Sequence, residues 1–219
     1  MTRIYFTLCI AVTTATLIIS AAVFTNLPAK VPIHWNIHGQ VDGYGSPGMA
    51  AFLLPVMMVA LALLFAALPW LSPKQFEIDS FRETYWFLTF VIMSVMAYIH
   101  GVTLWSALGH KIDVPRAILA GLLLMFGLMG NVLGKVRRNF WVGVRTPWTL
   151  ANDRVWNDTH RLAARLFVAV GLLGVPLLFL PVPLELLFVI VISGIMAAAI
   201  IPAGYSAVHY KKLQAQGQI

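Results

Sequence analysis

Six long apolar stretches, near residues 5–25, 49–71, 84–108, 115–134, 162–181 and 184–207, govern what this chain can become. A helix needs about 20 mostly apolar residues to cross a bilayer, because hydrocarbon offers backbone N–H and C=O groups no partner. The stretches lack the period-two alternation of a membrane β-barrel. At 60% hydrophobic and 11% charged, the chain also lacks the charged surface of an ordinary soluble domain. These features predict an all-α integral membrane protein, a six-transmembrane helix bundle forming one membrane domain over residues 1–219. The first stretch, Tyr5–Phe24, is longer than the roughly 7–15 apolar residues of a signal-peptide core and reads as a retained span.

Local signals place several helix ends. Ser80 and Glu83 have capping-box spacing at the start of the third span. Pro115 suits the first turn of the fourth, where its missing N–H costs nothing. Pro181 and Pro183 break the chain between the last two spans, and Glu185 falls where a carboxylate favours the positive helix end. Gly121, Gly127, Gly130 and Gly134 permit close helix contact within the membrane. Cys9 is the single cysteine, so no intrachain disulfide is possible, and it reads as a buried bystander.

The formal charge of +7 belongs to topology. No basic arm, zinc-finger spacing or aromatic RNA-binding signature accompanies it, so direct nucleic-acid binding is not expected. Eleven Lys and Arg residues fall at the termini and in the second and fourth loops, against Lys30, Lys111 and Arg116 on the opposite side. The positive-inside rule therefore predicts both termini in the cytoplasm, the loop at 27–47 outside and the segment at 135–161 inside.

Those two segments hold most of the chain's polar chemistry. The outer loop concentrates His34, Trp35, Asn36, His38, Asp42 and Tyr44 among prolines and glycines that favour extended backbone and tight turns. Imidazoles with a carboxylate suit a divalent metal, so His34, His38, Asp42 and the intramembrane His100 are the candidate ligands for one. A hydrogen-bonded loop over the outer helix ends is the plainer expectation, with His100 bonded to a neighbouring helix and no cofactor predicted. The inner segment, Asn139–Arg161, carries five charged residues and three of the seven tryptophans. Gly143 and Pro147 argue for a shaped loop. From Asn152, read as an N-cap, the pattern turns into a helix along the membrane surface that bends or runs into span five, with an Arg154/Asp158 pair and with Trp156 and His160 on one side. An anchoring loop explains the arginines and tryptophans, but not the mixture of Asn139, Thr146, Thr149, Thr159 and His160. Asp153, Asp158 and His160 are accompanied by no nucleophile elbow, HExxH or phosphate loop, so no catalytic residue and no enzyme is expected.

The ordered run Asn139, Gly143, Arg145, Thr146, Pro147, Trp148, Thr149, Trp156, Thr159, His160 and Arg161 resembles the signature of the SdpI family of bacterial membrane immunity proteins. The outer-loop run "VPIHWN…DGYGS" resembles a second element near the start of such proteins. The resemblance implies a bacterial plasma-membrane protein that gives immunity to a secreted hydrophobic peptide toxin, or senses it. It also implies signalling, by holding a small repressor protein at the inner loop. The runner-up readings are a small-solute or ion transporter or channel, and a metal-dependent membrane enzyme in which His34, Asp42 and His100 converge.

Overall fold

A computed structural model describes residues 2–219. The order is α1 (Thr2–Val23), β1 (Val31–Trp35), β2 (Val41–Gly45), α2 (Pro47–Leu71), α3 (Arg82–Ala107), α4 (Val114–Leu133), α5 (Pro147–Ala151), α6 (Asp153–Leu177) and α7 (Leu184–Ala215). Among the described residues, six helices are long and apolar enough to cross a membrane, and their exposed aliphatic faces suit lipid. The chain is an all-α, multi-pass membrane protein, as the apolar stretches require.

The helices form two groups. α1 packs chiefly on α3, with α2 beside them; α6 packs on both α4 and α7; α3 against α4 joins the groups. Glycine sets the closest approach. A Cβ on Gly130 would lie 2.8 Å from Phe167 Cβ and Val168 N, and one on Gly171 would lie 2.8 Å from Gly127 Cα. Gly121 has the same role against Tyr98 of α3, where a Cβ would lie 2.9 Å from the ring. Gly134 differs from expectation, since a Cβ there would meet only Arg161 Cγ at 3.9 Å. Cys9 is buried in the core, as read from its position.

Several helix ends depart from the sequence reading. Ser80 and Glu83 make no capping box. Residues Asp79–Phe81 form a short 3-10 turn, α3 starts without a side-chain cap, and Asp79 instead bonds Arg82. Asn152 caps α6 as expected, accepting the N–H groups of Arg154 and Val155, and the helix runs straight on to Leu177, so the stretch read as lying along the surface is the first part of span five itself. Between α4 and α6 lies the five-residue α5, initiated by Pro147 at N1. Arg154 and Asp158 do not pair: Arg154 reaches Gln218, and Asp158 reaches His209 of α7 at 2.9 Å. The outer loop is a β-hairpin, which its prolines and glycines had marked only as non-helical. Pro115 lies in the first turn of α4 as expected, behind an Asp113 N-cap that the sequence had not marked, and Leu178–Pro183 makes the tight turn into α7.

The hairpin lies at one end of the bundle, beside Glu185 and the α6–α7 turn. The segment following α4 lies at the other, against the end of α2 and the tail of α7. The two polar segments thus occupy opposite ends.

Candidate functional site

At the hairpin end, most of the singled-out residues build the hairpin itself. Strands β1 and β2 pair antiparallel, with Trp35 opposite Val41 and Val31 opposite Gly45. The turn is closed by Asn36, whose Oδ1 accepts the N–H groups of His38 and Gln40, both at 3.0 Å, while Gly39 takes φ +79. His34 Nδ1 meets Asp42 Oδ1 at 2.5 Å across the strands. His38 Nδ1 meets Glu185 Oε1 at 2.6 Å, tying the hairpin tip to the first turn of α7. Tyr44 is exposed, while Ile33 and Trp35 face the bundle and line cavities beneath the hairpin. His100 is buried and bonds Ser20 of α1 at 2.7 Å, rather than joining His34 and Asp42. Among the described residues, no group of three or more His, Cys, Asp or Glu side chains is placed to hold a metal ion. The convergence behind the metal-enzyme alternative is therefore not what the chain builds.

The signature end is knitted more tightly. Asn139, fully buried, spends its amide on Arg137 and Val142 carbonyls and accepts from Trp141 and Val142 N–H, with all four distances between 2.7 and 3.0 Å. A buried amide so fully used fixes a turn, because leaving any of these groups unpaired would cost its desolvation. The Trp141 indole N–H reaches Ser72 at the end of α2. Thr146 caps α5 with Thr149 as its reciprocal partner, and its hydroxyl meets Ser206 of α7 at 2.9 Å. Thr149, also fully buried, donates to the Val144 carbonyl.

The centre of this network is His160. Its ring stacks on Trp156 at 4.1 Å between centroids, and the Trp156 indole donates to the Val136 carbonyl at 2.8 Å. His160 Nδ1 lies 2.8 Å from the Trp156 carbonyl, and Nε2 lies 3.0 Å from Val144 N. A carbonyl only accepts and an amide N–H only donates, so the ring is neutral with its proton on Nδ1. Gly143 sits directly against that ring with φ +107, so a Cβ there would collide with His160 Nε2. The Gly143–His160 pair is thus a fitted contact: the glycine lets the loop approach closely enough for Val144 to reach the imidazole.

Other signature residues face outward. Arg145 is exposed and donates to the Phe140 carbonyl at 2.6 Å, bracing the loop from outside. Pro147 and Arg161 are exposed, Trp148 is half-buried, and Thr159 is buried without a hydrogen-bond partner. The sequence reading missed three supports. Arg138 donates to the Leu150 carbonyl and pairs with Asp153 at 2.8 Å. Ser72 and Ser206 receive the loop from α2 and α7. At the opposite end, Arg116 holds the Leu178 and Val182 carbonyls at 2.9 and 2.8 Å, capping the end of α6. A topology count had treated Arg116 as a stray outer charge; its place after Pro115 in the first turn of α4 was the only available signal.

Residues 135–206 match the SdpI/YfhL protein family. The match runs from the end of α4 to Ser206, the residue that closes the Thr146 contact. Residues 11–59 match a domain of unknown function, DUF1648, which takes in the hairpin and the helices flanking it. The chain is also similar to the immunity protein SdpI of Bacillus subtilis (strain 168), 28% identical over 195 residues, covering 89% of this chain and 90% of that protein. No solved structure matches it. The SdpI/YfhL signature therefore corresponds to the loop, α5, α6 and α7 locked together around His160.

Proposed function

We propose that this SdpI-like protein confers immunity on a bacterium against a secreted hydrophobic antimicrobial peptide, acting from the plasma membrane and without catalysis. The observation that carries this reading is the full-length similarity to the Bacillus subtilis immunity protein SdpI, which spans both polar ends of the bundle. The excess of Lys and Arg at the signature end turns that end and both termini to the cytoplasm, and the hairpin outward. A secreted peptide then meets the hairpin first. At the other end, Phe140, Arg145, Pro147 and Arg161 offer an exposed surface on a rigid base, suited to holding a small repressor protein. Coupling the ends requires a bundle with two arrangements that both ligands bias.

A Bacillus subtilis strain lacking its own immunity protein, expressing this chain and challenged with culture supernatant from its wild-type parent, tests the reading. Survival at levels near the wild type supports it; killing equal to the empty-vector strain refutes it. For the signalling step, pull-down of a co-encoded repressor is compared between wild type, Arg145→Ala and Arg161→Ala at equal membrane abundance. Equal recovery from all three removes this surface as the dock.

A further inference from the structure

Beneath the hairpin lies a crevice of two lobes that share Ile33, Trp35 and Ile118 as lining. The outer lobe, about 580 Å³, opens between the hairpin and the starts of α4 and α7, with His34 and His38 at its rim. The inner lobe, about 220 Å³, lies among α2, α3 and α4 and is walled mostly by aliphatic side chains such as Leu53. Besides the Trp35 indole, its polar lining is His100 and Thr103.

His100 is only partly explained by the bundle. A histidine within a membrane span is costly and calls for a partner. The Ser20 hydroxyl gives its one hydrogen to the Thr16 carbonyl at 2.9 Å, so His100 Nε2 donates to Ser20 and Nδ1 is left as a bare acceptor. No partner for Nδ1 is found among the described residues. His100 is 97% buried by its 3% exposure, yet it lines the lobe. Thr103 spends its hydrogen on the Ile99 carbonyl. The lobe therefore presents acceptors within an apolar wall. An apolar cavity of about 150 Å³ is enough to take up benzene, so this one holds a larger ring.

We propose that the crevice binds an apolar peptide segment, and that the inner lobe takes one tryptophan or tyrosine side chain whose N–H or O–H donates to His100. This deepens the immunity reading and rests on it for the peptide's arrival at the hairpin end. The argument for a peptide over a lipid tail is chemical. An acyl chain fills apolar volume but carries no donor for His100, whereas an aromatic side chain with a polar tip supplies both. The outer lobe, apolar at Pro115 and Phe188 and polar at its histidine rim, accommodates the adjoining backbone and side chains.

The test uses the full chain in phospholipid nanodiscs, with N-acetyl-5-fluorotryptophanamide and N-acetyl-4-fluorophenylalaninamide as probes followed by fluorine NMR. Both should bind saturably, the indole roughly tenfold more tightly, the worth of one hydrogen bond. His100→Leu should abolish that preference while leaving the phenylalanine probe within about twofold; a purely structural histidine would weaken both probes together. Leu53→Trp, at a position half-exposed to lipid, fills the lobe and should abolish binding, with Met49→Trp as the second filling variant should the first not fold. Absence of saturable binding, binding indifferent to both filling variants, or displacement of both probes by oleate would overturn the proposal, the last by identifying an acyl-chain site. Survival in the toxin challenge is read separately. Protection without probe binding refutes the crevice and leaves immunity standing; probe binding without protection does the reverse.

Discussion

Substituting Gly143 by alanine removes the closeness on which the signature end depends. The residue holds φ +107, and its new Cβ would be driven into His160 Nε2. Forcing a side chain into that backbone region costs about 1–3 kcal/mol. Pushing the imidazole away strands the Val144 N–H, a further cost of about 1–3 kcal/mol for an unpaired buried donor. The two together give roughly 2–5 kcal/mol, since relaxation of the loop relieves part of each. For a chain of this size that corresponds to a fall in melting temperature on the order of 5–15 °C. Thermal unfolding of the purified protein in nanodiscs measures the loss, and hydrogen exchange at the Val144 amide locates it. A double-mutant cycle sharpens the attribution: in a His160→Ala background the collision is gone, so Gly143→Ala should cost only the backbone part. A melting shift below about 2 °C, the scale of an ordinary surface change, with Val144 still protected, would refute the fitted Gly143–His160 contact. Equal costs of Gly143→Ala with and without His160 would refute it too.

Gly130→Val should destabilise the α4–α6 pair by about 1–3 kcal/mol through overpacking against Phe167, whereas Gly134→Ala should be nearly silent; thermal unfolding distinguishes them. Arg116→Met should cost on the order of 2–3 kcal/mol, because the carbonyls at the end of α6 lose their cationic partner, and proteolysis should then appear first near Leu180. Trp141→Phe and Ser72→Ala should each cost about 1 kcal/mol and the double variant no more than either, since both remove one hydrogen bond.

Much of the signature end was legible as a list and illegible as a mechanism. The residues Asn139, Gly143, Thr146, Thr149, Trp156 and His160 were all singled out, and five of these six are buried or half-buried in one network. Their partners could not be named from the chain, because Ser72 and Ser206 lie 69 and 60 residues away from the groups they bond. Local rules also misled where two local bonds competed. Ser80 and Glu83 have the spacing of a capping box, but Asp79 takes Arg82 and the chain enters α3 through a 3-10 turn. Arg154 and Asp158 stand one helical turn apart, yet each finds a tertiary partner on or beyond α7. Exposed i,i+4 pairs stabilise a helix by only about 0.3–0.5 kcal/mol, so almost any alternative partner displaces them.

Read as a string, the sequence is enough to set the class, the number of spans and their approximate bounds. Backbone polar groups must be satisfied within each span, so a run of apolar residues of the right length has one outcome. It also marked which polar residues were too ordered in their spacing to be mere anchors. The packing of the helices gave those residues their partners. It turned the outer loop into a hairpin clasped to Glu185, paired His100 with Ser20 instead of His34 and Asp42, and set His160 beneath Gly143. The reason is one of range: hydrocarbon thickness acts on each stretch of chain separately, whereas a hydrogen bond between side chains depends on the positions of two helices that packing alone brings together.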